Sequence, residues 1–267
     1  MSSTIDTVAL HGWTAVPVDA KAILQGKPYL HKPGPVLVKD IKFPSDDPIV
    51  AKVHDYAKEK LPLPTFNHSM RVFYWCMYFL GLHLLICFHE LTCSQKATAI
   101  LHQQFPDHAA TLSPSTLALT CLLHDIGTTP ENRAATQLSF EFQGGIIALN
   151  LIQHELRGPR SQAEAVCEAI IRHQDLGEVG KITFLGQLIQ LATVYDNMGG
   201  NPELVHAETR VDVNRAFGRR GWSGCFAQTI REENKVKPWA HTTHLGEEEF
   251  PRGVLGNVLM REFDEWE

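Results

Sequence analysis

The sequence predicts an all-α protein, and three observations carry that prediction. Successive segments repeat apolar residues at helical spacing, each bounded by recognisable start or stop residues. Alternating runs of β-branched and polar residues, the mark of half-buried strands, are sparse. Several apolar helical stripes also end on a histidine or an aspartate, which places polar chemistry at the ends of core-facing helices.

Residues 1 to about 45, with "HGWTAVPVDAKAILQGKPYLHKPGPV", are rich in Pro and Gly and read as an irregular N-terminal arm. From Asp46 the stretch "DDPIVAKVHDYAKEKL" has an acidic start and Pro48 in its first turn, as a helix does. "PLPTFNHSMRVFYW" gives the next helix, with Thr65 or Asn67 as cap and His68, Val72 and Trp75 on one face. "SPSTLALTCLLHDIG" starts at Ser113-Pro114, stops at Gly127 and is apolar all round, so it reads as buried. In "SQAEAVCEAIIRHQDLG" Ser161 and Glu164 have capping-box spacing, Gly177 is a stop, and Val166, Ala169, Ile170 and His173 share a stripe. "ITFLGQLIQLATVYDN" sets Leu185, Ile189, Ala192 and Asp196 on one face. The main domain is thus expected over 46–230. From about 231 the chain reads as a mostly irregular C-terminal tail packed on it. No internal repeat is visible.

Composition narrows the function. Of 267 residues, 44% are hydrophobic and 20% charged, which suits a globular protein. A net charge of −6 without a Lys/Arg cluster argues against a nucleic-acid surface and disfavours polyanionic substrates. Six cysteines (76, 87, 93, 121, 167 and 225) lack CxxC spacing, so reduced thiols in a cytoplasmic protein are expected. No charged segment followed by an apolar one opens the chain, and no secretory signal is expected. Homo-oligomerisation is left open by the sequence.

The buried helix ending in His124-Asp125 needs a partner for those groups, because an unpaired buried charge is strongly unfavourable. His68, His173 and Asp196 also end apolar faces. Taken singly, each is more often a satisfied core group, a cap or an ion-pair partner. Together, two imidazoles and two carboxylates satisfy a divalent cation, and the N/O donor set suits Zn²⁺, Fe²⁺ or Mn²⁺ better than Ca²⁺. Thr128, Asn132 and Glu141 follow the HD pair and could line a pocket, although caps and loop hydrogen bonds explain them equally well. Gly144-Gly145 suggests close helix approach. His241 and His244 have i, i+3 spacing, but the irregular setting beside Pro238 argues against a second metal there.

The words "NHSMRVFYW", "LTCLLHDIGT", "SFEFQGG", "EAIIRHQDLG", "ITFLGQLIQLAT" and "KPWAHTTH", with the opening "GWTAVPV", resemble the fungal cyanamide hydratases of the HD-domain superfamily over nearly the whole chain. The resemblance implies an HD-domain helical bundle and a hydro-lyase (a carbon–oxygen lyase) that adds water to cyanamide to give urea. Zinc is the implied cofactor, ahead of iron or manganese, and cyanamide or another small nitrile the implied partner, with no nucleic acid and no membrane. It places the metal on His68, His124, Asp125 and Asp196. Four protein ligands exceed the three usual at catalytic zinc, so five-coordination or one loose carboxylate is expected. Asp125, His173 and Asp175 are then the candidate catalytic residues, with His173 donating to the nitrile nitrogen and Asp175 orienting it. Thr128, Asn132 and Glu141 are candidates for substrate binding. Gln137 stands where relatives carry Arg or Lys. A phosphohydrolase is the alternative, with Arg71, Arg133 and Arg172 as the nearby cations for a phosphate.

One stretch departs from those relatives. "VFYWCMYFLGLHLLICF" (72–88) is nearly charge-free and the length of a short membrane span, but Gly81, His83 and the lack of flanking basic residues weaken that reading. An apolar insertion at about 76–94 is the better description. Cys76-Met77-Tyr78 can be encoded with GTATGT, a donor-like splice signal, Leu91-Thr92 with a branch-point word, and Cys93-Ser94 with an acceptor. Met77 to Ser94 therefore reads as translated intron, and His83, His89 and Cys93 are not expected to be ligands. A cDNA sequence across the segment decides the matter.

Overall fold

A computed structural model describes residues 6–80 and 104–266. Among them the helices are α1 Thr7–Leu10, α2 Ala20–Ile23, α3 Pro48–Lys60, α4 Leu63–Leu80, α5 Pro106–Ala109, α6 Pro114–Leu123, α7 Pro130–Ala134, α8 Phe140–Leu149, α9 Arg160–Ile171, α10 Phe184–Met198, α11 Ala207–Ala216, α12 Trp222–Val236, α13 Glu249–Leu255 and α14 Arg261–Asp264. The molecule is predominantly α. Its one described sheet pairs β1 (Ala15–Pro17) antiparallel with β2 (Lys181–Thr183), Val16 opposite Ile182. Strands of three residues are too short to show an alternating pattern, so part of the arm read as irregular is in fact ordered.

Asp47 caps α3 by accepting from the Ile49 and Val50 amides, with Pro48 at the first helical position. Helix α4 begins at Leu63, ahead of the expected caps. Thr65 and Asn67 lie inside it: Thr65 is buried, and Asn67 donates to Gly218 O at 2.8 Å. Pro64, needing no amide bond in the first turn, explains the earlier start. Ser113 caps α6, and every residue from Thr116 to Leu123 is buried, as the all-round apolar pattern requires.

The capping box at Ser161 does not form. The Ser161 hydroxyl meets His11 Nδ1 at 3.0 Å and Trp13 Nε1 at 3.2 Å, fastening the arm to α9, while Glu164 pairs with Arg160. Helix α9 stops at Ile171, well before Gly177, and His173 lies in the turn beyond it. Thr183 caps α10, and Gly199 closes it at φ 68°. The C-terminal stretch is largely helical rather than irregular, and the boundary at 231 falls inside α12. Phe250 and Val254 of α13 pack on Trp222, Phe226 and Ile230 of α12, so the apolar face of each short helix is covered by the other.

Glycines allow the closest approaches. A Cβ on Gly127 would stand 2.1 Å from Phe140 O, and one on Gly145 would stand 2.7 Å from Ile171 Cγ1. Helix α8 therefore lies directly against the turn after His124 and against α9.

Of the apolar insertion, Cys76 to Phe79 complete the buried face of α4. Tyr78 donates to Gly34 O at 2.7 Å and accepts from the His206 amide at 3.1 Å. The Gln104 amide donates to Phe79 O at 3.2 Å. Met77, Tyr78 and Phe79, at the start of the stretch read as translated intron, are thus part of the packed core. Residues 81–94 of the insertion, with His83, His89 and Cys93, lie outside the described residues. No helix among the described residues is long and apolar enough to cross a membrane.

Candidate metal centre

Helices α4, α6 and α10 meet at the middle of the core, and each brings a polar residue to the meeting point. His68 comes from α4, His124 from the end of α6, Asp125 from the turn that follows, and Asp196 from α10. All four are at most 1% exposed.

Each histidine is oriented through Nδ1. His68 Nδ1–H donates to Asp196 Oδ2 at 2.7 Å, His124 Nδ1–H to Cys121 O at 2.8 Å, and His173 Nδ1–H to Ile170 O at 2.7 Å. Carboxylates and carbonyls accept only, so these bonds fix the tautomer and leave the Nε2 lone pair of each neutral ring unused. Trp222 stacks on His68 at 4.3 Å between centroids and 14° between planes, which holds the first ring in place.

Two of those lone pairs face each other: His68 Nε2 and His124 Nε2 are 3.1 Å apart. Asp125 Oδ2 lies 3.6 Å from the first and 3.4 Å from the second. Neither Asp125 oxygen has a hydrogen-bond partner among the described residues. Burial pushes His68 down to about 3 and His124 to about 4, so the rings are neutral and have no proton to share. Burial also pushes Asp125 up to about 7, His173 acting against the rise and Glu141 adding to it. Three acceptors thus converge in a buried site whose only nearby proton is the one Asp125 itself carries below about pH 7, an arrangement that costs free energy above that pH until something positive occupies the centre. Nitrogen ligands about 2.0–2.1 Å from a tetrahedral zinc are about 3.3–3.4 Å apart. The triangle of 3.1, 3.4 and 3.6 Å has that size, and the residues fit a divalent cation.

Asp196 lies on the other side of His68, where its carboxylate is heavily engaged. Arg71 donates to it from Nε at 3.0 Å and Nη2 at 2.8 Å, Trp75 from Nε1 at 2.9 Å, and Arg219 Nη1 stands 3.2 Å away. Burial works against this charge, yet Arg71, Arg219 and His68 hold the carboxyl well below the usual range. The structure therefore groups His68, His124 and Asp125 at the centre, with Asp196 behind His68 as the acceptor that orients its ring. That differs from the expected four-ligand set. Arg219 also caps α10 by donating to Asp196 O at 3.0 Å, as does Asn257.

His173 is 2% exposed and stands beside the centre, Nε2 4.0 Å from Asp125 Oδ1 and its ring at right angles to that of His124. Burial and the nearby His124 lower its pKa, so its Nε2 is an acceptor at neutral pH. Asp175 does not orient it. That carboxylate pairs instead with Arg172 at 2.7 Å and His241 at 3.2 Å. Thr128 donates to Asp125 O and Asn132 to Ile126 O, both at 2.7 Å, so these side chains hold the backbone of the HD turn. Glu141 is fully buried, accepts from Thr242 at 2.8 Å and lies 3.5 Å from His241.

Sequence reasoning missed Arg219, Trp75, Thr242 and the engagement of His241. The one available signal was the unusual polar pair Arg219-Arg220 between two helices. Of the cations considered for a phosphate, Arg71 is committed to Asp196, Arg133 to Glu232 and Thr229 O, and Arg172 to Asp175 and Glu168.

Residues 65–198 match the HD domain family, which implies a divalent metal. Two proteins of Saccharomyces cerevisiae, cyanamide hydratase DDI2 and cyanamide hydratase DDI3, are each 38% identical to the chain over 249 residues, covering 93% of it and 97% of the relative.

Proposed function

The chain belongs to the HD domain family and, within it, to the family of the yeast cyanamide hydratases, and from that premise we propose that it adds water to cyanamide to give urea with zinc as its cofactor. The observation that carries this reading is the convergence of His68 Nε2, His124 Nε2 and the unpartnered Asp125 carboxylate on one buried point. Those three residues would hold the cation, and Asp196 would set the ring of His68. When bound, a divalent cation acts as a Lewis acid and lowers the pKa of water from about 15.7 toward about 7.

The chain's own groups move the protons. His173 presents a free Nε2 lone pair beside Asp125, so it first accepts a proton from the attacking water as the carbon–oxygen bond forms. It then returns that proton to the nitrile nitrogen, where negative charge develops. A second shift, from oxygen to nitrogen, converts the resulting isourea to urea, and no net proton enters or leaves. Thr128 and Asn132 position the turn that carries Asp125 rather than touching substrate. Burial of all the acceptors excludes bulk water and favours a small, neutral substrate.

The test is urea formation from cyanamide by the purified protein, with and without a chelator. We expect urea from the metal-loaded protein, its loss on chelation, and recovery with Zn²⁺ above Fe²⁺ or Mn²⁺. Undiminished turnover after complete metal removal would contradict the reading. So would phosphate release from a phosphate ester in the absence of any urea.

A further inference from the structure

Helix α9 ends at Ile171, and the turn beyond it carries His173 and Gln174. The carbonyls of such a turn lie past the last helical hydrogen bonds and need donors from elsewhere. Gln190 of α10, 2% exposed, provides them: its Nε2 donates to Arg172 O at 2.9 Å and to Asp175 O at 3.1 Å. Those two carbonyls bracket His173 and Gln174, so the two N–H bonds of one buried amide grip the pair from both ends. The other ties of this turn are weaker. Arg172 pairs with Asp175 at 2.7 Å and His241 with Asp175 at 3.2 Å, but all three side chains are more than a quarter exposed, and exposed ion pairs contribute little. Thr242 Oγ1 lies 2.9 Å from Gln174 Oε1 and 2.8 Å from Glu141 Oε1, so its one proton is divided between two acceptors.

The helix that carries Gln190 matters. Asp196, which orients His68, stands further along α10, so one rigid element sets both the ring of His68 and, through Gln190, the turn of His173. The His173 ring is itself fixed by its Nδ1–H bond to Ile170 O at 2.7 Å, but that bond joins near neighbours and leaves the distance of the turn from α10 open. His173 Nε2 stands 4.0 Å from Asp125 Oδ1. At such a site a shift of ~1 Å in a reacting group costs about 100-fold in rate.

We propose that Gln190 is a positioning residue for the hydration: by bridging Arg172 O and Asp175 O it holds His173 Nε2 where the proton of the attacking water is taken up. This rests on the hydration reading above and adds to it the residue that places its proton-moving group. Gln190 acts through His173 and not on the metal. Gln187, one turn earlier on α10, shows the contrasting case. It is 1% exposed and, with its amide oriented to satisfy both ends, donates to Pro17 O at 3.0 Å and Val18 O at 2.9 Å. Its two bonds fasten the N-terminal arm and bear on no group of the site.

The experiment measures kcat and KM for cyanamide, and zinc content, in metal-loaded wild type, Gln190→Met, His173→Ala and the double variant. Gln190→Met keeps the length of the side chain but has no donor, and it should lower kcat roughly 10- to 100-fold, with KM and zinc content unchanged. In the His173→Ala background the same change should alter kcat by less than about twofold, because residues that act as a unit are not additive. Gln187→Met is the control for the loss of a buried amide: its melting temperature should fall while kcat stays that of wild type. If Gln190→Met does not fold, Gln190→Glu gives the second reading. Its buried carboxyl takes up a proton beside two carbonyls and keeps one of the two bonds, so kcat should fall by a factor of about 3–10, again only where His173 is present. Equal losses of kcat with and without His173, an unchanged kcat in the single variant, or loss of zinc along with kcat would overturn the inference and leave the hydration reading standing. Full activity in His173→Ala would overturn the proton role of His173 and the inference with it. Absence of urea from the metal-loaded wild type would instead overturn the hydration reading itself, so the failures are distinguishable.

Discussion

His124→Gln is expected to lose the metal and to lower kcat/KM for cyanamide by at least about 10³-fold, while leaving the metal-free protein as stable as metal-free wild type or more so. The activity loss follows from the Lewis acid's share of transition-state stabilisation, which is several kcal/mol, each 1.36 kcal/mol being about tenfold in rate. The stability result is the less obvious half. In the metal-free chain the His68 and His124 lone pairs face each other at 3.1 Å, and the one group beside them that can carry a proton is Asp125, pushed up to about 7, so the conflict is fully present only above neutral pH. Replacing one ring by an amide introduces a donor at that point and relieves the conflict. The order reverses with metal present, because a ligand that binds only the folded state stabilises it in proportion to its affinity. Thermal unfolding of both proteins, in chelator and in excess Zn²⁺, checks the sign. A variant equally destabilised in both conditions would mean that His124 is an ordinary packing residue.

The second large effect is expected at Arg71. Arg71→Met should destabilise the fold by about 3–5 kcal/mol, as the loss of one partner from a buried ion pair does. Arg71 gives Asp196 two of its donors and also donates to Phe217 O at 3.0 Å. Arg219, 3.2 Å from the same carboxylate, keeps part of the charge balanced, so the lower end of that range is expected. Because Asp196 sets the ring of His68, metal affinity should also fall, by about 10–100-fold. Chemical denaturation of the metal-free protein measures the first quantity and metal titration the second. A variant that keeps its stability but loses metal would show Arg71 acting on the site alone.

Much of this site was legible in the chain because helical periodicity decides which residues face inward. His68, His124 and Asp196 each close an apolar stripe, and all are fully buried. The same reasoning could not say what an inward-facing group meets. Asp196 has the pattern of a metal ligand, yet the donors around it come from Arg71, Trp75 and Arg219, remote in sequence and brought together only by packing. Ser161 has the spacing of a capping residue, but its hydroxyl serves His11 and Trp13 of an arm with no strong helical signal. His241 lies in a short 3-10 turn after Pro238, where periodicity says nothing, and it becomes visible only as the counter-charge of Asp175 and Glu141. Local rules thus placed most helices and missed the contacts that set charge states.

The claim on which the whole account depends is that one cation sits between the two inward-facing imidazoles and Asp125. Anomalous diffraction at the absorption edge of the bound metal tests it most directly. The account predicts a single strong peak about 2.0–2.2 Å from His68 Nε2, His124 Nε2 and an Asp125 oxygen, with Asp196 still bound to Arg71. A metal-loaded, urea-producing crystal with its peak elsewhere, or with no peak at this triangle, would contradict it.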